Sequence, residues 1–129
     1  MIVIDASVLV DLLIGRPGAA LIGDVLLRRT PWHAPHLIDV EVGQGLRRLA
    51  YRRMIPERRA AEAVGELGQL DLRRHAHTPF LERIWQLRHG LTAYDATYVA
   101  LAEALAIPLI TRDAKLAAAR NHDTMIELV

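Results

Sequence analysis

Apolar residues along the chain form short β-branched runs that alternate with longer segments of helical periodicity. The first run, residues 2–4, is too short for a helix and is typical of a buried strand. Residues 8–14 form an apolar segment closed by Gly15, which predicts a helix opened by residues 5–7. After a turn, residues 19–29 predict a second helix. Its apolar face is predicted to contain Leu21, Ile22, Val25 and Leu26.

The same alternation continues through the middle of the chain. Residues 30–35 are compatible with a short strand, and residues 36–54 predict a long helix with Glu41 on or beside its apolar stripe. Pro56 is a good first residue for a further helix over 57–70. The stripe of the long helix comprises Ile38, Val42, Gly45 and Leu49. The inward face of the next helix is predicted to comprise Ala60, Ala61, Val64, Leu67 and Leu70.

The last part of the chain repeats this pattern and completes the predicted fold. A helix begins at Thr92, which suits an N-cap, with Asp95 three residues on as in a capping box. Further strands are predicted over 71–76, 106–111 and 124–129, and further helices over 79–89 and 114–120. Strands that alternate with helices predict one α/β domain over 1–129, with a parallel sheet covered on both faces.

Composition narrows the class of protein without revealing its chemistry. The chain has 129 residues, 52% of them hydrophobic, which suits one folded domain and excludes disorder. No apolar run reaches the roughly 18 residues that span a bilayer, and no basic segment precedes a signal-like core, so we expect a cytoplasmic protein away from membranes. The absence of cysteine excludes disulfides and thiolate zinc sites. The net charge of +1 provides no global basic field.

Four acidic residues follow strands or begin helices at positions that a parallel sheet would bring together. Asp5 and Asp113 each lie between a predicted strand and a helix, Asp95 lies in a first helical turn, and Glu41 lies one turn into its helix. Strand–helix junctions of a parallel sheet meet at its carboxyl edge, where ligands bind. Each acid also has a structural interpretation, as a helix cap or, for Glu41, as an ion-pair partner of Arg48.

Convergence of these acids would have a chemical consequence. Two like charges 4 Å apart repel by roughly 4 kcal/mol at an effective dielectric constant of 20. Several carboxylates at one edge would therefore take up protons or bind a cation. Oxygen ligands without cysteine favour a hard ion such as Mg²⁺ or Mn²⁺. Metal-assisted hydrolysis of a phosphodiester is the chemistry that such a site would support.

The motifs that carry these acids resemble those of PIN-domain ribonucleases. They are Ile2-Val3-Ile4-Asp5-Ala6-Ser7, the mid-chain Glu41, Thr92-Ala93-Tyr94-Asp95-Ala96 and Thr111-Arg112-Asp113. Their order and the chain length are similar to those of VapC-type toxins of type II toxin–antitoxin pairs. The resemblance implies a three-layer α/β/α sandwich with a central parallel sheet and Mg²⁺- or Mn²⁺-dependent endoribonuclease activity. It also implies a cognate antitoxin and a homodimer.

The resemblance also assigns roles to individual residues. Asp5 and Asp95 match the main metal ligands, and Glu41 and Asp113 match two further acids that bind metal directly or through water. The hydroxyl residues Ser7 and Thr111 match positions that support the acids by hydrogen bonds. Some relatives place another acid or Asn after the fourth acid, and here the spacing leaves Asn121 and Asp123 as two open candidates.

Other features fit several interpretations. The arginine pairs at 47/48, 52/53, 58/59 and 73/74 suit a solvated helix face or an RNA backbone. His75 and His77 would share one strand face, as an exposed pair or as metal ligands. Gly43 and Gly45 in a helix suit a close approach, either within the domain or to a partner.

Two other classes of function remain alternatives. A phosphotransfer domain would use the same type of sheet, but a haloacid-dehalogenase-like site needs a second Asp where Ser7 stands. A receiver domain needs a lysine after a late strand, whereas Lys115 lies inside a predicted helix. The third class is a non-catalytic binding module, in which the acids only cap helices and form salt bridges.

Overall fold

A five-stranded parallel sheet forms the centre of the protein. A computed structural model describes all residues, 1–129. The strand order is β3-β2-β1-β4-β5 and every neighbouring pair is parallel, which confirms the predicted sheet. The strands are β1 (Ile2–Ile4), β2 (Trp32–Pro35), β3 (Leu72–His75), β4 (Leu109–Thr111) and β5 (Ile126–Leu128).

Seven α-helices cover the sheet and make the three-layer α/β/α sandwich that the resemblance implied. Helices α1, α2, α3 and α4 contact one another as one group, while α6 packs on β1 and β2 and contacts α5. The helices are α1 (Ala6–Ile14), α2 (Ala19–Leu27), α3 (Leu37–Tyr51), α4 (Glu57–Gln69), α5 (Leu81–Gln86), α6 (Ala93–Leu105) and α7 (Ala114–Ala117).

The central strand β1 has all three residues fully buried. It pairs with β2 through Ile2 and Trp32, and with β4 through Val3 and Leu109. A parallel strand between two neighbours must be apolar on both faces, which explains the uninterrupted β-branched run. The residue that follows β1 is thereby fixed at the middle of the carboxyl edge.

The predicted buried faces of two helices are wrong in part. In α2, Leu21 and Val25 are exposed, whereas Ala19 and Leu26 are buried. In α4, Val64 and Ala61 are exposed. The buried positions there are Ala63 and Leu67, with Ala60 and Leu70 packed against the core. Both helices contain more apolar residues than their inward faces need, so periodicity alone selected the wrong rows.

Several predicted elements are shorter in the structure. The helix predicted over 79–89 is a 3₁₀ turn at Thr78–Phe80 followed by α5, which ends at Gln86. The helix over 114–120 ends at Ala117, and the strand over 106–111 begins only at Leu109. Ala106 has a positive φ of 54° and ends α6, and the Ile107 N–H donates to the Ala102 carbonyl at 3.2 Å. Both residues therefore belong to the end of the helix and not to the strand.

Helices α1 and α3 approach each other closely at Gly45. A Cβ atom on Gly45 would lie 3.0 Å from Cγ2 of Val10, whereas a Cβ on Gly43 would meet nothing within 4 Å. Of the interpretations for these two glycines, packing within the domain is therefore the one realised at Gly45.

No single helix is long and apolar enough to cross a membrane. Together, α1 and α2 would be long and apolar enough, but the chain bends by 118° between them.

Substitution of the two glycines by alanine should separate these effects. Gly43→Ala should stabilise the protein by up to about 1 kcal/mol, because alanine has the higher helix propensity. Gly45→Ala should lose this gain to the contact with Val10 and be no more stable than the wild type. Urea unfolding measures both free energies, and equal stabilisation by the two variants would contradict the close approach.

A partly buried ion pair fixes α5 to α6 and generates a pH-dependent prediction. Arg83 donates two hydrogen bonds to Glu103, of 2.7 and 2.9 Å. These bonds, supported by the Asp123 N–H and opposed by burial, lower the pKa of Glu103 from its ordinary value of 4.5. A carboxyl whose pKa is lowered on folding stabilises the protein above its unfolded pKa, and this contribution is lost as pH falls through the folded pKa.

Glu103→Gln should therefore destabilise the protein by about 1–2 kcal/mol at neutral pH. The difference from the wild type should shrink as the pH falls below 4.5. The matched control is Glu62→Gln, because Glu62 is half exposed and pairs with Arg58 at 3.4 Å. It should change stability by less than about 0.5 kcal/mol. A pH-independent loss in Glu103→Gln would show that charge is not the cause.

Candidate functional site

Two neighbouring strand ends place Asp5 and Asp113 side by side. Asp5 follows β1, and its backbone N–H donates to the Ile110 carbonyl of β4 at 3.1 Å. Asp113 comes two residues after the end of β4. Since β1 and β4 are paired and parallel, both residues lie at the carboxyl edge of the sheet. The predicted convergence of these two acids is realised.

Hydrogen bonds join this pair through Thr111. The Thr111 hydroxyl, fully buried, donates to Oδ2 of Asp5 and accepts from the Asp113 N–H at 2.9 Å. Ser7 contributes differently from Thr111. Its backbone N–H donates to Oδ1 of Asp5, while its hydroxyl accepts from the Arg112 N–H at 3.0 Å. Thr111 supports the acid with its side chain, and Ser7 does so with its backbone.

Asp5 and Asp113 are also helix caps, as the structural interpretation predicted. Asp5 caps α1 through the Ser7 N–H. Asp113 Oδ1 accepts from the N–H groups of Lys115 and Leu116 at 2.8 and 3.3 Å. These bonds fix the orientation of both carboxylates. Capping and a role at the edge are therefore compatible.

Glu41 lies on α3 with a buried carboxylate oxygen. Its Oε1 and the hydroxyl of Tyr98 on α6 are buried without a hydrogen bond of good geometry, although these two side chains interact with each other. Burial raises the pKa of Glu41, and the charges of Asp5 and Asp95 raise it further, while the nearby Tyr98 hydroxyl lowers it. The suggested ion pair of Glu41 with Arg48 does not form.

Asp95 faces the same group of charges from α6. Thr92 caps this helix, and its hydroxyl accepts from the Asp95 N–H at 3.1 Å, which confirms the predicted N-cap. Burial raises the pKa of Asp95, the interaction of its carboxyl group with the Thr92 side chain opposes this, and the charges of Asp113 and Asp5 raise the pKa again. Both shifted acids therefore respond to Asp5.

All four predicted acids thus belong to one electrostatic neighbourhood. Within it, no three acidic or histidine side chains are arranged to close on a single ion. The chemistry of the donor set nevertheless fits a hard cation. It offers only oxygen atoms, includes the buried Oε1 of Glu41 and concentrates like charges. Burial is the main cause of the two raised pKa values, and a divalent ion here would relieve the like-charge repulsion that adds to it.

The sequence patterns did not identify two residues that lie near the acidic edge, Asp11 and Tyr98. Asp11 is buried on α1 and forms ion pairs with Arg112, whose Nε lies 2.6 Å from the carboxylate, and with Arg16, whose Nε lies 3.4 Å away. A charged residue inside the apolar segment 8–14 was the available signal. Tyr98 was missed because it reads as an ordinary apolar helix position. Its spacing of one turn from Asp95 was the only hint.

Other candidates lie away from the acids. Asn121 is exposed with a φ of 65°. Asp123 donates its N–H to Glu103 near the C-terminal end of α6, so it belongs to the opposite end of that helix from Asp95. His77 is exposed, whereas His75 stacks on the buried His33 with their ring nitrogens 2.9 Å apart. His75 and His77 therefore do not share a strand face as predicted, because β3 ends at His75.

The fold and its acidic edge define a PIN-type domain, and residues 2–121 match the family model of the PIN domain. Ribonuclease VapC1 of Mycobacterium tuberculosis is 45% identical over 128 residues, which cover 98% of this chain and 96% of that protein. The chain therefore belongs to the VapC proteins of the PIN-domain family, which confirms the resemblance seen in its motifs.

Solved structures show the same fold. The crystal structure of PAE2754 from Pyrobaculum aerophilum gives a TM-score of 0.73 at 25% identity, and covers 97% of this chain and 81% of that one. A toxin–antitoxin complex from Klebsiella pneumoniae gives a TM-score of 0.63 at 25% identity, with 92% and 91% covered.

Removal of the Thr111 hydroxyl should weaken the whole edge. Thr111→Val keeps the volume but leaves Oδ2 of Asp5 and the Asp113 N–H without their buried partner, at a cost of about 1–3 kcal/mol. Thr97→Val is the matched control. Thr97 is also buried, but its hydroxyl only donates to the Ala93 carbonyl of its own helix at 2.7 Å, so the loss should be below about 1 kcal/mol. Equal losses in urea unfolding would contradict a special role for Thr111.

Proposed function

We propose that this protein is a metal-dependent endoribonuclease and the toxin of a toxin–antitoxin pair. The observation that supports this most is the group of four acids at the carboxyl edge, two of which have raised pKa values caused partly by their neighbours. Membership of the VapC proteins supports RNA as the substrate, since the 45% identical relative is named a ribonuclease. The substrate bond would be an RNA phosphodiester.

Mg²⁺ or Mn²⁺ would be held chiefly by Asp5 and Asp95, with Glu41 and Asp113 as further ligands, directly or through water. Such an ion supplies an activated water and stabilises negative charge on the attacked phosphate. The chain contributes orientation. Thr111 and the Ser7 N–H fix both oxygens of Asp5, and the start of α7 fixes Oδ1 of Asp113.

A cognate antitoxin is the second part of this proposal. The structurally similar chain from Klebsiella pneumoniae belongs to a toxin–antitoxin complex. A protein partner that covers the acidic edge would keep RNA away from it. A homodimer and a cytoplasmic location remain predictions from the resemblance.

Cleavage of RNA tests the proposal. The purified protein should cut RNA with Mg²⁺ or Mn²⁺ and lose this activity with a chelator. Asp5→Asn should lower the cleavage rate by at least about a hundredfold, because it removes a central charge from the proposed metal site. Asp24→Asn is the matched control, since Asp24 is exposed on α2 and lies outside the acidic edge, and it should cleave like the wild type.

Three results would count against this proposal. Undiminished cleavage by Asp5→Asn would exclude the four-acid site. Absence of divalent-metal binding in calorimetry would favour a non-catalytic binding module, and a stable aspartyl-phosphate in mass spectrometry would favour phosphotransfer.

A further inference from the structure

An arginine-lined cleft runs away from the acidic edge between α1 and α3. It has a volume of about 560 Å³. Glu41 and Ser7 border it at the end nearest the acids. Its charged lining comprises Arg16, Arg48, Arg52, Arg112, Asp11 and Glu41. The cleft is therefore continuous with the proposed catalytic edge and carries more positive than negative side chains.

One face of α3 supplies the arginine row. Arg48 follows Glu41 by seven residues and lies on the same side of the helix, and Arg52, the C-cap residue directly after α3, lines the same cleft. At 1.5 Å per residue, Arg52 lies about 16 Å along the axis from Glu41. Gly45 lies between them and lines the cleft without a side chain.

The two rows of arginine differ in what they contact. Arg112 and Arg16 are held by the buried Asp11, which fixes their position beside Ser7. Arg48 and Arg52 are exposed and form no ion pair with an acidic residue. Other arginines of the adjacent arginine pairs do bind carboxylates within the domain, as Arg74 does with Asp39 at 2.7 Å and Arg59 with Glu66 at 3.1 Å. Free guanidinium groups beside an acidic edge are suited to phosphate.

We propose that this cleft binds the sugar–phosphate backbone of single-stranded RNA on one side of the bond to be cut. The proposal rests on the proposed ribonuclease function. Arg48 and Arg52 contact successive phosphates, and Asp11 acts as a positioning residue that orients Arg112 next to the acids. The negative edge alone would repel RNA, so positive charge directly beside it offsets this repulsion.

Binding of a fluorescein-labelled single-stranded RNA, measured by anisotropy, tests the cleft. All proteins carry Asp5→Asn, and no divalent metal is added, so that binding is measured without cleavage. Arg48→Gln with Arg52→Gln should weaken binding about 20-fold at about 0.1 M salt, because each lost phosphate contact removes about 0.7 from the salt slope. The slope of log affinity against log salt should fall by about 1.4.

The matched control is Arg47→Gln with Arg58→Gln, which removes the same net charge outside the cleft. Arg47 lies over the Tyr51 ring at 5.5 Å, and the Arg58 side chain is 90% exposed. This control should bind within about a factor of two of the parent. Equal losses in both doubles would overturn the proposal in favour of general charge attraction, and an unchanged affinity in the cleft double would overturn it outright. Urea unfolding should show that both doubles are folded, and Arg48→Lys with Arg52→Lys should restore the slope.

Two comparisons separate this proposal from others. An oligoglutamate peptide of the same charge as the RNA should compete at least about tenfold more weakly, because its carboxylates do not repeat at the spacing of the successive phosphates that Arg48 and Arg52 are proposed to contact. Equal competition would instead assign the cleft to an acidic protein segment. If the wild-type protein binds RNA through the cleft but does not cut it, the proposed ribonuclease function is contradicted and the RNA-binding cleft is supported. If the protein cuts RNA at the same rate with and without Arg48 and Arg52, the ribonuclease function is supported and the RNA-binding cleft is contradicted.

Discussion

The parallel pairing of β1 with β4 is the constraint on which the acidic edge depends. It joins two segments 106 positions apart in the chain, so that the Thr111 hydroxyl reaches Asp5. Asp5 is the single residue between the fully buried β1 strand and α1, so its position is fixed at the carboxyl edge of the sheet. Packing of apolar strand residues thereby determines where the polar atoms lie.

This arrangement opposes its own stability. Burial and like charges raise the pKa values of Glu41 and Asp95, and the Glu41 Oε1 and the Tyr98 hydroxyl are buried without a hydrogen bond of good geometry. Unpaired buried polar groups cost stability and are rare in folded proteins. Two of the four buried side-chain atoms without a hydrogen bond of good geometry belong to Glu41 and Tyr98, and the other two are ring nitrogens of His33 and His122. What distinguishes the acidic edge is the addition of raised carboxyl pKa values to such atoms.

Sequence patterns predicted the parts of the molecule that depend on local chemistry. The strand 2–4, the Gly15 and Thr92 helix ends and the acids beside strands β1 and β4 all follow from short-range rules. Two predicted faces failed because α2 and α4 expose apolar residues such as Val25 and Val64. Which apolar row turns inward depends on the neighbouring helices, and no local pattern reports this.

The sequence predicted which acids form the site, but it did not predict which side chains pair with one another around it. Periodicity placed Glu41 beside the stripe of α3, but the partner it suggested, Arg48, lies in the cleft without an acid. The acid that does bind an arginine there is Asp11, which contacts Arg112 across the fold. Such pairs are set by the tertiary approach of α1 to the loop after β4.

The arginine content of the chain has a structural explanation for many residues. Arg29, Arg74 and Arg83 each make bidentate bonds to a carboxylate, with Glu127, Asp39 and Glu103 respectively. Lysine could not reproduce this geometry, because its ammonium group lacks the planar fork. These ion pairs connect elements that are distant in sequence, so much of the positive charge is neutralised inside the domain. Because the net charge is only +1, positive charge that could attract a nucleic acid must be local, and the arginines that lack carboxylate partners beside the acidic edge provide it.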